Sequence, residues 1–432
     1  DHSGARVALV DRRHGAGGHW LDAYPFVRLH QASSFYGVAS TVLGDGSVQR
    51  DGPEAGLHER ATGEEVRSYF REVLDERLLA SGRVEFHPGY EYLGAGELVS
   101  LESGERHRVS ERCRVVDARY LAPEIPATTP PPFAVADGLS VVPVNALPMM
   151  DNAPAEFVIV GSGKTATDAC VWLLGNGVDP DSIRWIRSRE PWMLDRAVVQ
   201  PNPTIFLGMV ADVMEAAARA ASPDDLFLRM EEAGVMLRID RAVTPTMAKT
   251  PTLARWELEL LRGIERVTRL GHIRGVQPGR IELDGGTVDI GGDALIVHCA
   301  AAGLRYPPLI PIWGQEAITI QPVRAGFPCF AAALIGYVEA TRDDDADKNR
   351  LCPPSPLSDT PADWALMQAL GGRAALAFGA EPDIKAWANG VALNPARVPP
   401  EQAGEADVAD AAARVGAALG VGLSGLERLA AP

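Results

Sequence analysis

The sequence predicts an α/β chain with two domains built on parallel sheets, followed by a helical carboxyl-terminal region. Three observations carry that expectation. The unalternating apolar runs Val7-Ala8-Leu9-Val10 and Phe157-Val158-Ile159-Val160 have the pattern of strands covered on both faces, as parallel strands are. Each run stops where such sheets meet their ligands, the first in Asp11 and the second in a glycine-rich turn. Helix-period segments follow both runs, and after residue 352 the chain is rich in alanine.

At roughly 150 residues per domain, 432 residues make about three units or two large ones, so a sizeable core is affordable. Hydrophobic residues make up 46% and charged residues 23%, which excludes a disordered or collagen-like chain. The net charge of −16 argues against a nucleic-acid surface, because that affinity is mostly neutralisation of phosphate by Lys and Arg. None of the five cysteines, Cys113, Cys170, Cys299, Cys329 and Cys352, lies within four residues of another. That spacing excludes CxxC redox or zinc pairs and fits a reducing, cytoplasmic setting. No apolar run approaches the roughly 20 residues of a membrane helix, and no charged-then-apolar leader opens the sequence, so neither a membrane span nor a secretion signal is expected.

In chain order, the strand at 7–10 places Asp11 at its carboxyl end. In a dinucleotide-binding fold such a carboxylate closes the second strand, about 20 residues beyond GxGxxG, and bonds the ribose hydroxyls. On that reading Asp1-His2-Ser3-Gly4 ends the preceding helix, with Gly4 as its stop, and a first strand with its phosphate loop lies upstream. The other reading is an edge strand that happens to end in an acid. Thr62 and Glu65 form a capping box for an amphipathic helix carried to Gly82 by Val66, Tyr69, Phe70, Val73, Leu74 and Leu78. A strand at 83–86, a meander over 90–109 and a strand at 114–118 follow. The proline-rich residues 123–132 read as a hinge.

The second glycine-rich site is more complete. The strand at 157–160 runs into Gly161-Ser162-Gly163-Lys164-Thr165-Ala166, and a helix over 169–174 and a strand at 183–186 come next. Gly161 serves the tight bend, Gly163 the approach of a pyrophosphate, and Ala166 the close packing of helix on strand; the helix start supplies N–H donors. The next strand ends in Arg187-Ser188-Arg189 rather than in an acid, which favours the 2′-phosphate of NADP over NAD. A Walker loop is excluded because Val158 stands where its first glycine belongs. No GxSxG, HExxH or paired Cys/His spacing occurs.

An acid-ended strand followed by Gly17-Gly18-x-Trp20 resembles the FAD-binding half of class B flavin monooxygenases and related flavoproteins with two dinucleotide sites. The resemblance implies two Rossmann-like domains, one for FAD and one for NADP(H). It places Asp11, with Arg12 beside it, at the adenosine ribose, and Gly17, Gly18 and Trp20 along the FAD. Arg28, His30, Gln31, Ser33 and Ser34 become candidates to face flavin or nicotinamide. With the first phosphate loop upstream, the chain by itself is expected to hold FAD weakly.

The expected organisation is a first part of the FAD domain over 1–150, an NAD(P) domain over 151–303, a return to the FAD domain over 304–345, and a helical region over 346–432. The second domain carries helices at 205–219, 224–232 and 252–264, a hairpin over 280–289 turning at Asp284-Gly285-Gly286, and a strand at 294–297. Cys299-Ala300 replaces the Thr-Gly that usually closes this strand in the resembled family. The acidic run Asp343 to Asp347 reads as a solvated loop, residues 352–356 as a linker, and 409–419 as helix.

The function implied is NADPH reducing FAD and the reduced flavin activating O₂ toward a small-molecule substrate. The absence of FxGxxxHxxxW turns the expectation away from Baeyer–Villiger chemistry, and the lack of a cysteine pair turns it away from disulfide reduction. An NADPH-dependent flavin reductase or dehydrogenase, and a non-enzymatic NADP-binding protein, are the alternatives.

Overall fold

The computed structural model describes residues 3–110, 112–300 and 304–431; Asp1 and His2, read above as a helix end, and the boundary at 303 lie outside them. Val7–Asp11 is a strand, and its parallel partner is Val84–Pro88. The expected helix joins them. Thr62 Oγ1 accepts the Glu65 N–H and the Glu65 carboxylate accepts the Thr62 N–H, so the capping box is closed and Gly63–Glu72 follows. Wider turns over Val73–Leu78 then carry the chain to a left-handed Gly82.

One expectation fails here. Val7 is 44% exposed, and no residue of Val7–Asp11 is fully buried, because Val84–Pro88 is its one partner among the described residues. The first half therefore forms no single doubly wound sheet among those residues. The meander Tyr90–Gly94, Glu97–Ser100 and Arg106–Arg108 stands as its own antiparallel sheet. Val115–Asp117 pairs in parallel with Ala317–Thr319, which joins the two segments across the intervening chain.

The second half is built on one parallel sheet, which also takes in Val141–Pro143 from the part assigned by sequence to the first domain. Five parallel strands lie in the order Val141–Pro143, Ala294–His298, Glu156–Val160, Ile183–Ile186 and Val267–Thr268. The central strand is buried along its whole length. Strand alternation sends Phe157 and Ile159 against Ala166, Ala169, Cys170 and Leu173, while Val158 and Val160 meet Ile273, Val276 and Ile281 on the other face. The helix Lys164–Gly175 begins at the glycine turn, five residues before the predicted core of that helix.

Two further readings are corrected. Within 252–264 only Arg255–Arg262 is helical; β-branched Thr252 and Leu253 instead pair in parallel with Leu194 and Asp195. The acidic run is not a loop. Asp344 caps the helix Asp345–Leu351 by accepting the N–H groups of Ala346 and Asp347, because carboxylates are favoured at a helix start. The insertion is helical as expected, over Pro203–Arg219 and Pro223–Glu232. The carboxyl-terminal region comprises Pro361–Gly379, Pro382–Gly390 and the long Ala406–Ala430. All five cysteines are free thiols, three of them buried, and among the described residues no helix is long and apolar enough to cross a membrane.

Candidate functional site

The glycine turn sits at the carboxyl end of the central strand. Gly161 takes φ +123° and donates its N–H to the Ile186 carbonyl at 3.0 Å, and its own carbonyl accepts the Trp185 indole N–H at 2.7 Å. A Cβ on Gly161 would stand 3.1 Å from the Cys299 carbonyl carbon and 3.2 Å from the Ala300 nitrogen. Positive φ and a backbone neighbour both oppose any other residue. We expect Gly161→Ala to cost about 1–3 kcal/mol of unfolding free energy, read by urea denaturation.

Gly163 differs. It caps the helix Lys164–Gly175 without help from any side chain, and a Cβ there would meet nothing within 4 Å. Among the described residues the helix start thus has no side-chain cap and no neighbour against Gly163, the arrangement that receives phosphate oxygens. Ser162 donates its hydroxyl to the Arg189 carbonyl at 2.7 Å, which fastens the turn to the loop after the next strand. Lys164 and Thr165 form the first turn, and fully buried Ala166 brings helix and strand together.

The three residues after Ile186 separate. Arg187 is buried over the Trp185 ring at 4.6 Å and pairs with Glu190 at 3.2 Å. Ser188 is half-buried. Arg189 is also half-buried and reaches Asp359 at 2.7 Å and the Thr246 carbonyl at 2.8 Å.

On the first half, Asp11 accepts the Arg13 N–H at 2.8 Å through one carboxylate oxygen, Arg12 is exposed, and Arg13 pairs with Asp22. Gly17 and Gly18 both take positive φ, at 123° and 55°, and lead into a short turn of helix, Gly18–Asp22. Trp20 is buried there and donates its indole N–H to the Tyr36 hydroxyl at 2.6 Å. Ser33 has no exposed surface: its hydroxyl bonds Glu59 and accepts the Ala61 N–H at 2.8 Å. Gln31 is half-buried, and Ser34 holds a buried hydroxyl without a partner among the described residues. Burial first, then the charges of Lys164, Arg196 and Arg60, pushes the His30 imidazole well below its usual pKa, so it is neutral at physiological pH.

A cleft of about 640 Å³ lies between this first-half segment and the second half. Arg28, its side chain bonded to the Arg60 carbonyl at 3.1 Å, stands on one wall; Lys164, Asp168 and Trp172 of the turn's own helix stand on the other. Of the five residues expected to face flavin or nicotinamide, only Arg28 lines it. Asp168 accepts both the Lys164 ammonium and the Tyr24 hydroxyl, the latter at 2.6 Å. Burial lowers the Lys164 pKa, and Asp168 opposes that shift.

Behind the cleft is a network that the sequence reading missed. Arg196, 1% exposed, holds Glu54 at 2.5 Å and Glu257 at 2.7 Å and donates Nε–H to the His30 carbonyl at 3.2 Å. Arg60 grips Glu54 with two nitrogens, at 2.6 and 3.1 Å. Thr252 also donates its hydroxyl to the His30 carbonyl. No spacing pattern joins residues 54, 196 and 257, so nothing short of the fold could have paired them. Among the described residues no group of three His, Cys, Asp or Glu could hold a metal ion.

Fold and site together define a mixed α/β protein whose glycine turn and cleft share one helix. The chain is 42% identical over 396 residues to uncharacterized protein Rv2000 of Mycobacterium tuberculosis, a match spanning 91% of this chain and 73% of that protein. Uncharacterized protein Mb2023 of Mycobacterium bovis matches equally. The chain belongs to the family of these mycobacterial proteins. No protein-family profile matches it. Among solved structures it is similar to the Bacillus cereus bacillithiol disulfide reductase Bdr, at 10% identity over 78% of this chain and 91% of that one, with a TM-score of 0.40. A cyclohexanone monooxygenase with bound ε-caprolactone is 15% identical over 94% and 92% of the two chains, with a TM-score of 0.37. At these TM-scores the likenesses are too loose to carry any step that follows.

Proposed function

We propose that the protein is an FAD- and NADPH-dependent oxidoreductase of the flavin monooxygenase kind, working on a small-molecule substrate in a reducing, cytoplasmic setting. The observation that carries this reading is the open, uncapped helix start at Gly163, at the carboxyl end of a parallel sheet. Its donor set fits a dinucleotide: backbone N–H groups for the pyrophosphate, with Ser162, Lys164 and Thr165 around them and no side chain in the way. Arg189 is the half-buried cation nearest in sequence to suit a 2′-phosphate, and Arg187 backs it from the interior. The first half fits the adenosine end of FAD through the second carboxylate oxygen of Asp11 and the open side of Gly18, where a Cβ would also meet nothing within 4 Å.

Bound at these residues, NADPH would supply reducing equivalents and FAD would supply the oxygen-activating chemistry. The chain's own residues bind and orient. Gly161 fixes the bend, Lys164 is held by Asp168 at the cleft wall, and the Arg196 network keeps the His30 backbone against the second half.

Gly163→Val tests the carrying observation directly. A Cβ there meets nothing within 4 Å among the described residues, so the loss of stability is expected to be confined to the poorer helix cap, about 0.5–2 kcal/mol, while the Kd for NADPH rises by roughly tenfold or more. Unchanged NADPH affinity would sink the proposal. Arg189→Gln is expected to weaken NADPH more than NADH, and equal loss for both would remove the NADP preference. NADPH consumption under air but not under nitrogen separates the oxygen-activating reading from a reductase with another acceptor.

A further inference from the structure

Arg324 follows the strand Ala317–Thr319 and precedes the helix Pro328–Thr341. Its backbone is fixed. The carbonyl accepts the Phe327 N–H at 3.3 Å, and the adjoining Ala325 nitrogen lies so near Gly371 that a Cβ on that glycine would stand 3.0 Å away. The half-buried side chain passes between Phe206 and Phe330, each ring centre 5.9 Å from Cζ.

Its guanidinium lacks what other buried cations have. Arg196 and Lys348 each hold carboxylates at short distance. Among the described residues Arg324 makes one side-chain hydrogen bond, from Nη1 to Asn394 Oδ1 at 3.5 Å, the outer limit for such a bond, and it pairs with no carboxylate. Asn394 is itself pinned: its amide nitrogen donates to the Ala388 carbonyl at 3.1 Å and its oxygen accepts the Ala396 N–H at 3.2 Å. Nε and Nη2 therefore have no protein partner among the described residues. They form the edge with which arginine grips a planar oxyanion through two parallel bonds. Burial draws the Arg324 pKa down to about 10, and no neighbouring charge opposes the shift. Neither nitrogen is sealed from solvent, so an anion from outside the chain can reach this edge.

We propose that Arg324 anchors an oxyanion site whose occupant is the carboxylate of a small organic acid, gripped by the Nε and Nη2 edge that the chain leaves unpaired. A nucleotide phosphate presents similar chemistry, and the test separates the two sources. Calorimetric titration of the full chain at constant ionic strength uses three probes: benzoate, its neutral counterpart benzamide, and inorganic phosphate. Benzoate is expected to bind and benzamide not to. Arg324→Met is expected to abolish benzoate binding, and Arg324→Lys, which keeps the charge but loses the fork, to weaken it roughly tenfold. Should the methionine variant fail to fold, the lysine variant carries the comparison. No benzoate binding to the native chain, or equal binding to the variants, overturns the proposal. Phosphate binding in place of benzoate overturns the carboxylate and assigns the guanidinium to a nucleotide. No probe is a cofactor, so the outcome stands apart from that of the NADPH titrations.

Discussion

Arg196→Ala is expected to cost about 3–5 kcal/mol, the largest effect of any single replacement considered, because it leaves buried Glu257 without its cation and takes one of the two cations from Glu54. Glu54 is 7% exposed and Glu257 5%, and both lean on the Arg196 guanidinium. Arg60 would still hold Glu54, but Glu257 would keep only the Ala254 N–H that its carboxylate accepts at 2.8 Å. Arg196→Met, which supplies bulk without charge, is expected to be no rescue, since the defect lies in the acids left behind. Urea denaturation checks the magnitude; a loss under 1 kcal/mol would show that the pairs merely offset their own desolvation.

The same network gives an acid dependence of defined sign. Burial alone would raise the Glu54 pKa, yet hydrogen bonding to Arg60 and the charges of Arg196 and Arg60 bring it from 4.5 down to about 2. A carboxyl depressed on folding contributes stability that is present above pH 4.5 and is lost as pH falls toward 2. Part of the acid dependence in that window should disappear in Arg196→Ala, visible as a flatter plot of unfolding free energy against pH.

The second large effect concerns the crossing of Ala406–Ala430 on Pro203–Arg219. A Cβ on Gly425 would run into the Ala217 carbonyl, coming within 2.6 Å of its carbon, and one on Gly422 would stand 2.8 Å from the Met214 Cα. Both obstacles are backbone, which yields only if the helices part. Gly425→Ala is expected to cost about 1–3 kcal/mol. Gly416 lies in the same helix, is exposed and meets nothing within 4 Å, so Gly416→Ala is expected to add up to about 1 kcal/mol through helix propensity. Opposite shifts in Tm for the two variants check the pair, and a destabilised Gly416→Ala would refute the packing argument.

What could be read from the sequence was local. The capping box at Thr62 and Glu65, the strand before Gly161 and the strand Ile183–Ile186 carry their signals within a few residues, and each was found in place. The helix Pro328–Thr341 escaped because it buries Phe330, Leu334 and Val338 while apolar residues also fill its other faces, leaving no period to detect. Asp343 to Asp347 misled for another reason: acids signal solvent and helix starts alike. The cleft was half legible. Lys164 was visible through its turn, whereas Glu54, Arg196 and Glu257 are ordinary surface residue types until tertiary structure brings them together. Arg28, His30, Gln31, Ser33 and Ser34 come from one segment, and its loop sends neighbouring side chains in different directions, so of the five only Arg28 lines the cleft.

The pairing of Val115–Asp117 with Ala317–Thr319 has a consequence for how the molecule is made. Roughly 200 residues leave the first half and come back at one pair of adjacent strands. During synthesis the five-stranded sheet has all its strands once residue 298 has emerged, while the first half still lacks a strand. The second half is thus expected to fold first, as a nascent unit, and to serve as the surface on which the earlier segment then closes. Pulse-labelled hydrogen exchange during refolding would see protection at Glu156–Val160 before it appears at Val115–Asp117.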